Sequence, residues 1–205
     1  NFAKELATFF DYHLKDVDNG YYTTAPVKYF TVGEEKWHEA TEWPPREYEE
    51  QKYYISPDMG LSTTNSSDRE WCSFKLDFSV STDSLSRWNL IAHMGSMDVL
   101  YRRLHQSNHK RLVFISDTLQ HDTRLTGHAL IHLAFKVNTT DAVIFSYLMD
   151  KNENQLTYVT EGHLRAVHRT EVEHSWSKYA TLHRSYAQSD ISPLTPNEEV
   201  QMNIH

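Results

Sequence analysis

Cysteine is almost absent from this chain: Cys72 is the only one in 205 residues. No intrachain disulfide can form, and a single thiol fits a reducing, cytoplasmic location. Glycine is scarce as well, with only Gly20, Gly33, Gly60, Gly95, Gly127 and Gly162. A serine nucleophile elbow needs Gly-x-Ser-x-Gly, because small flanking residues permit the strained turn that exposes Oγ. Gly60-Leu61-Ser62 and Gly95-Ser96 come nearest and lack the second glycine. No catalytic residue is therefore assigned, and no glycine-rich phosphate loop exists. Long apolar runs are missing too: Ala142-Val143-Ile144-Phe145 is far too short to cross a bilayer. Positive charge is in deficit, 20 Lys and Arg against 28 Asp and Glu for a net charge of −8. That balance argues against nucleic acid or an anionic membrane as partner.

What the chain does have is apolar mass, 39% hydrophobic and 13% aromatic, enough for a sizeable core. Its first twenty residues have helical period. Phe2, Leu6, Phe9, Phe10, His13 and Leu14 share one face, and Asp18-Asn19-Gly20 supplies the stop. Such a helix needs a partner surface, either the β domain that follows or a further domain, and in the second case Phe2, Leu6, Phe9, Phe10 and Leu14 are the residues expected to meet it.

After Gly20 the period changes to two. Strands are expected over 27–32, 36–43, 51–56, 71–80, 111–116, 124–137, 142–150, 156–159, 164–169 and 199–204. In 71–80 the alternation puts Cys72, Phe74, Leu76 and Phe78 on the inner face. Residues 94–110 fit a short helix or an irregular loop, and 170–197 reads as a polar, proline-punctuated surface excursion. About ten strands behind one helix argue for an all-β fold, an antiparallel sandwich of the jelly-roll kind. The expected domains are 1–20, a terminal helix, and 21–205, the sandwich.

Thirteen histidines raise the question of a metal. On a strand His128 and His132 would stand about 13 Å apart, too far to share one zinc. His163 and His168 are separated by an odd number and point to opposite faces. No metal and no cofactor is expected. Glu34, Glu35, Glu39 and Glu42 read as solvated acids of a hairpin region. Trp37, Trp43, Tyr53, Tyr54, Trp71 and Trp88 suit core and interface packing, or the stacking platform of a sugar-binding module.

Several blocks in order resemble a known family. Ala25-Pro26-Val27-Lys28-Tyr29-Phe30-Thr31-Val32-Gly33-Glu34-Glu35-Lys36-Trp37 follows the helix. Thr41-Glu42-Trp43-Pro44-Pro45, Tyr53-Tyr54-Ile55, Ser86-Arg87-Trp88 and Leu125-Thr126-Gly127-His128 come next. Gly162-His163-Leu164-Arg165-Ala166-Val167-His168-Arg169, Arg184-Ser185-Tyr186 and Pro193-Leu194-Thr195-Pro196 complete the series. The series resembles the C-terminal part of the CocE/NonD hydrolases, which include cocaine esterase and the X-Pro dipeptidyl-peptidases.

The resemblance implies a Ser-Asp-His α/β-hydrolase domain elsewhere in the parent protein, with residues 1–20 as its last helix. It implies a jelly-roll of galactose-binding-like topology here, expected to lack its last strands. None of the triad residues maps onto this chain, which should be inactive alone. The expected role is to support the catalytic domain and help shape an ester, amide or X-Pro substrate cleft. The loop carrying Trp88, Asn89, Leu90 and Ile91 is the expected cleft-facing segment, unless Trp88 instead plugs the sandwich. The expected partner is the hydrolase domain of the same protein, with a homodimer as a second. The alternative is a carbohydrate- or partner-binding module on the same fold.

Overall fold

The computed structural model describes residues 2–65, 71–73, 75–79, 87, 109–153, 155–172 and 182–205. They hold a helix at the front and a set of short ladders, antiparallel except for one, so the chain is mostly β with one helix. The chain divides into two compact units, Asn1–Glu49 with Asp122–Gly127, and Glu50–His121 with His128–His205.

In the first unit, α1 (Phe2–Lys15) is shorter than its period suggested. It stops because Asp16 turns left-handed, φ 54°, and the Val17 N–H bonds back to the Asp11 carbonyl at 3.0 Å. Asn19 then fastens the exit: its Nδ2 donates to the Thr8 carbonyl at 2.8 Å and its Oδ1 accepts from the Tyr21 N–H at 3.1 Å. β1 (Val27–Thr31) and β2 (Lys36–Ala40) form an antiparallel hairpin with Tyr29 opposite His38 and Phe30 opposite Trp37. Gly33, φ 87°, sits in the turn where a Cβ would be strained. The expected second strand ends three residues early, and Thr41 to Pro44 bend away.

The second unit has three small sheets. β3 (Tyr54–Ile55), β4 (Gly60–Ser62) and β5 (Ile115–Ser116) form a small mixed sheet. β6 (Ile131–Phe135) pairs with β9 (Val200–Ile204), and β7 (Val143–Lys151) with β8 (Leu156–Arg165). These last two ladders share the core. Leu164, Ala166, Leu194, Met202 and Ile204 are buried, with Ile131, Phe135, Ile144 and Val200 packed against them. Alternation explains it: Ile131, Leu133 and Phe135 pair with Ile204, Met202 and Val200 on one face.

Four expectations are corrected here. β8 runs unbroken through Gly162, where two strands were expected. Gly162 leaves room for the end of β9: a Cβ there would lie 2.7 Å from the His205 carbonyl oxygen and 2.9 Å from Ile204 Cγ2. Of 124–137 only Ile131–Phe135 is strand, and 124–127 belongs to the first unit, so His128 and His132 do not share a strand. The described residues of 71–79 are not strand. Leu76 and Phe78, read as inner-face residues, are exposed. Asp77 turns the chain instead, accepting from the Ser79 N–H at 2.9 Å and pairing with Lys110 at 2.9 Å. Finally, the excursion over 170–197 is not all surface. Leu194 enters the core because its own N–H, with those of Ser192 and Asn197, bonds to the Thr140, Val167 and Val137 carbonyls.

Candidate functional site

Five residues of α1 were expected to meet a partner. Phe9 packs within its own unit, its ring 5.5 Å from Tyr21 and 4.5 Å from His13. The stripe is nevertheless exposed along its length: Phe2 is 80% exposed, Leu14 74%, Phe10 47%, Leu6 40% and Phe9 38%. The proposed cleft segment, Trp88, Asn89, Leu90 and Ile91, lies outside the described residues.

Beneath the hairpin lies a polar network that the acidic run did not announce. The alternation of β1 and β2 turns Tyr29 and His38 inward as a stacked cross-strand pair, centroids 5.2 Å apart, with Trp43 edge-on to Tyr29 at 5.5 Å. Glu34, at the turn, is half-buried. Its Oε2 lies 3.2 Å from His38 Nε2 and 2.5 Å from Arg124 Nη2. Arg124 Nη1 donates to Tyr48 Oη at 2.9 Å, and Tyr48 Oη lies 3.4 Å from Tyr29 Oη. Burial alone would raise the Glu34 carboxyl, but His38, Arg124 and Lys36 outweigh it and hold it below its usual range. Tyr48 is lowered by its hydrogen bonds with Tyr29 and Arg124, whereas the contact with Tyr48 pushes Tyr29 up to about 12.

Each of these polar groups is occupied by another. The arrangement anchors residues 122–127 to the hairpin; it offers no nucleophile beside a free base.

The second unit holds a buried arginine. Arg184 Nη2 donates to the Asn203 carbonyl at 2.6 Å and lies 3.7 Å from Glu171 Oε1. Asn203 in turn donates to Glu171 at 2.7 Å, and its Oδ1 lies 2.6 Å from His132 Nδ1. A cavity of about 270 Å³ adjoins it, lined by Arg87, Gly162, Tyr186, Ile204 and His205 among others. No serine, threonine or cysteine of the described residues lines it. Cys72 is half-buried.

Neither network is assembled for covalent chemistry, and comparison with known proteins says what the domain is. The model of the X-Pro dipeptidyl-peptidase C-terminal non-catalytic domain matches residues 19–205. The chain belongs to that family. Among its relatives are a Mycobacterium bovis protein named "Putative serine esterase Mb1866c" and a Mycobacterium tuberculosis protein named "Putative serine esterase MT1883". Each is 33% identical over 204 residues. The alignments cover 98% of this chain but 32% of either relative, so the chain spans about a third of their length. Membership of this family agrees with the β-rich fold.

Proposed function

We propose that this chain is the jelly-roll accessory domain of a serine hydrolase of esterase or X-Pro peptidase type. Its role is to support the catalytic domain and to wall part of the substrate cleft. One observation carries the reading. Phe2, Leu6, Phe10 and Leu14 form an apolar stripe on α1 that is exposed among the described residues, as a helix packed on a further domain would present it. The share of the relatives that the alignments leave uncovered, 68% on the figures above, supplies room for such a domain. The core shared by the β6–β9 and β7–β8 ladders supports the two-layer arrangement of a jelly-roll.

The test uses the complete polypeptide. Leu6→Glu with Phe10→Glu should split one unfolding transition into two and reduce hydrolysis of an aryl ester and of an X-Pro anilide. Trp88→Ala should change KM more than the transition temperature. Unchanged unfolding and unchanged hydrolysis in the helix variant would remove the accessory-domain reading.

A further inference from the structure

Arg184 is the one buried charged residue among those described, 6% exposed. Its hydrogen bonding is done by Nη2, which serves the Asn203 carbonyl and faces Glu171. The Nε–H is closed to solvent and meets no acceptor among the described residues. A buried donor on a charged group is costly to leave unmet, so this guanidinium has capacity for a further acceptor. The same side chain forms part of the wall of the cavity of about 270 Å³, far more than the roughly 15 Å³ that one water needs. Arg87, which also donates to Tyr158, adds a second cation to that wall, and Glu161 adds an acid. Burial and Arg184 hold His205 below the usual imidazole value, so near neutral pH it stands there as an uncharged hydrogen-bonding ring. Leu164 and Ile204 supply apolar surface.

We infer that this cavity binds a small organic monocarboxylate, with its carboxylate on Arg184 beside Arg87 and its carbon chain against Leu164 and Ile204. A planar carboxylate matches the planar guanidinium fork, and charge-assisted bonds of that kind are the strong ones. Two arginines against Glu161 leave the described wall with a formal charge of +1, which suits a monoanion. A phosphate dianion would set its second negative charge against Glu161. Glu171 offsets Arg184 at Nη2 but does not line the cavity.

Diethyl pyrocarbonate labelling of His163 and His205, both at the cavity wall, tests it on the complete polypeptide, read by mass spectrometry. Butyrate is the probe; butyramide, its neutral isostere, and inorganic phosphate are the comparisons. The expected result is slower labelling of both histidines with butyrate and no slowing with butyramide. Arg87→Gln should raise the butyrate needed by about tenfold, the worth of one charge-assisted hydrogen bond. Arg184→Lys should weaken the effect further, because an ammonium cannot reproduce the fork. Should that buried variant fail to fold, the exposed Arg87 carries the test. Equal slowing by butyramide would overturn an anionic ligand, and slowing by phosphate alone would overturn a carboxylate. Slowing by butyrate that is unchanged in Arg87→Gln would overturn the site, as would labelling that no probe slows.

Discussion

Gly162 and His205 approach so closely that a Cβ on the glycine would lie 2.7 Å from the histidine carbonyl oxygen. The neighbour is backbone, so relief requires the end of β9 to move. Gly162→Ala should therefore destabilise the chain by about 1–3 kcal/mol, the usual cost of overpacking. Gly33→Ala is the contrasting case: nothing lies within 4 Å, but φ is 87°, so only backbone strain of about 1 kcal/mol is expected. Urea denaturation of both variants checks the order.

Leu194 is 5% exposed and packs with Met202 and Ile204. Leu194→Ala should cost about 2–5 kcal/mol, as for other buried leucines. If its segment were only a surface excursion, the change would cost about 0.5 kcal/mol or less. Chemical denaturation separates the two.

Arg124 links Tyr48 and Glu34, one on each arm of its guanidinium. Arg124→Leu should speed amide exchange of residues 122–127 several-fold and release the Tyr48 hydroxyl. Arg124→Lys should recover only part, since an ammonium is a point charge and cannot span both partners in the same fork geometry. Hydrogen exchange by mass spectrometry reads both.

Asp141 sets a pH dependence. Burial raises its carboxyl, but the hydrogen bond from Arg165 Nε at 2.6 Å and those from the Ala142 and Val167 N–H groups outweigh it, so the folded value is lowered. Stability from a lowered acid is present above its unfolded value and is lost as pH falls through the folded one. The unfolding temperature of the native chain should exceed that of Asp141→Asn at pH 7. The gap should close as pH drops below the ordinary carboxylate range; a gap unchanged down to pH 2 would contradict the pairing.

Much of the strand framework was legible because period-two alternation is strong where one face meets a core. β1, β6 and β9 show it throughout, and β7, with its bulge at Leu148–Met149, in part. Gly162 misled because an isolated glycine reads as a break, whereas here it accommodates a neighbouring strand. The alternation of 71–80 misled because Asp77 and Lys110 impose a turn that no local pattern reveals. The Glu34 network was invisible for a related reason. Its decisive cation, Arg124, lies 76 residues beyond Tyr48, and nothing near either residue in sequence pairs them. Leu194 was obscured by Pro193 and Pro196, which look like loop punctuation but flank a single core residue. The presence of α1 was legible, though not its end, because a 3.6-residue period is local while the stop at Asp16 is a single backbone turn.

The separation of Tyr48 from Arg124 also sets an order of events on the ribosome. The hairpin and its acidic turn leave the exit tunnel before the cation that completes their network has been translated. At about 5–20 residues per second, the 76 intervening residues take roughly 4–15 s. Throughout that interval Glu34 has only His38 and Lys36, and Tyr48 only Tyr29, without the guanidinium that joins them. A nascent chain arrested before residue 124 would therefore carry an unfinished first unit, open to chaperones and proteases, and one arrested shortly after residue 127 clears the tunnel would not.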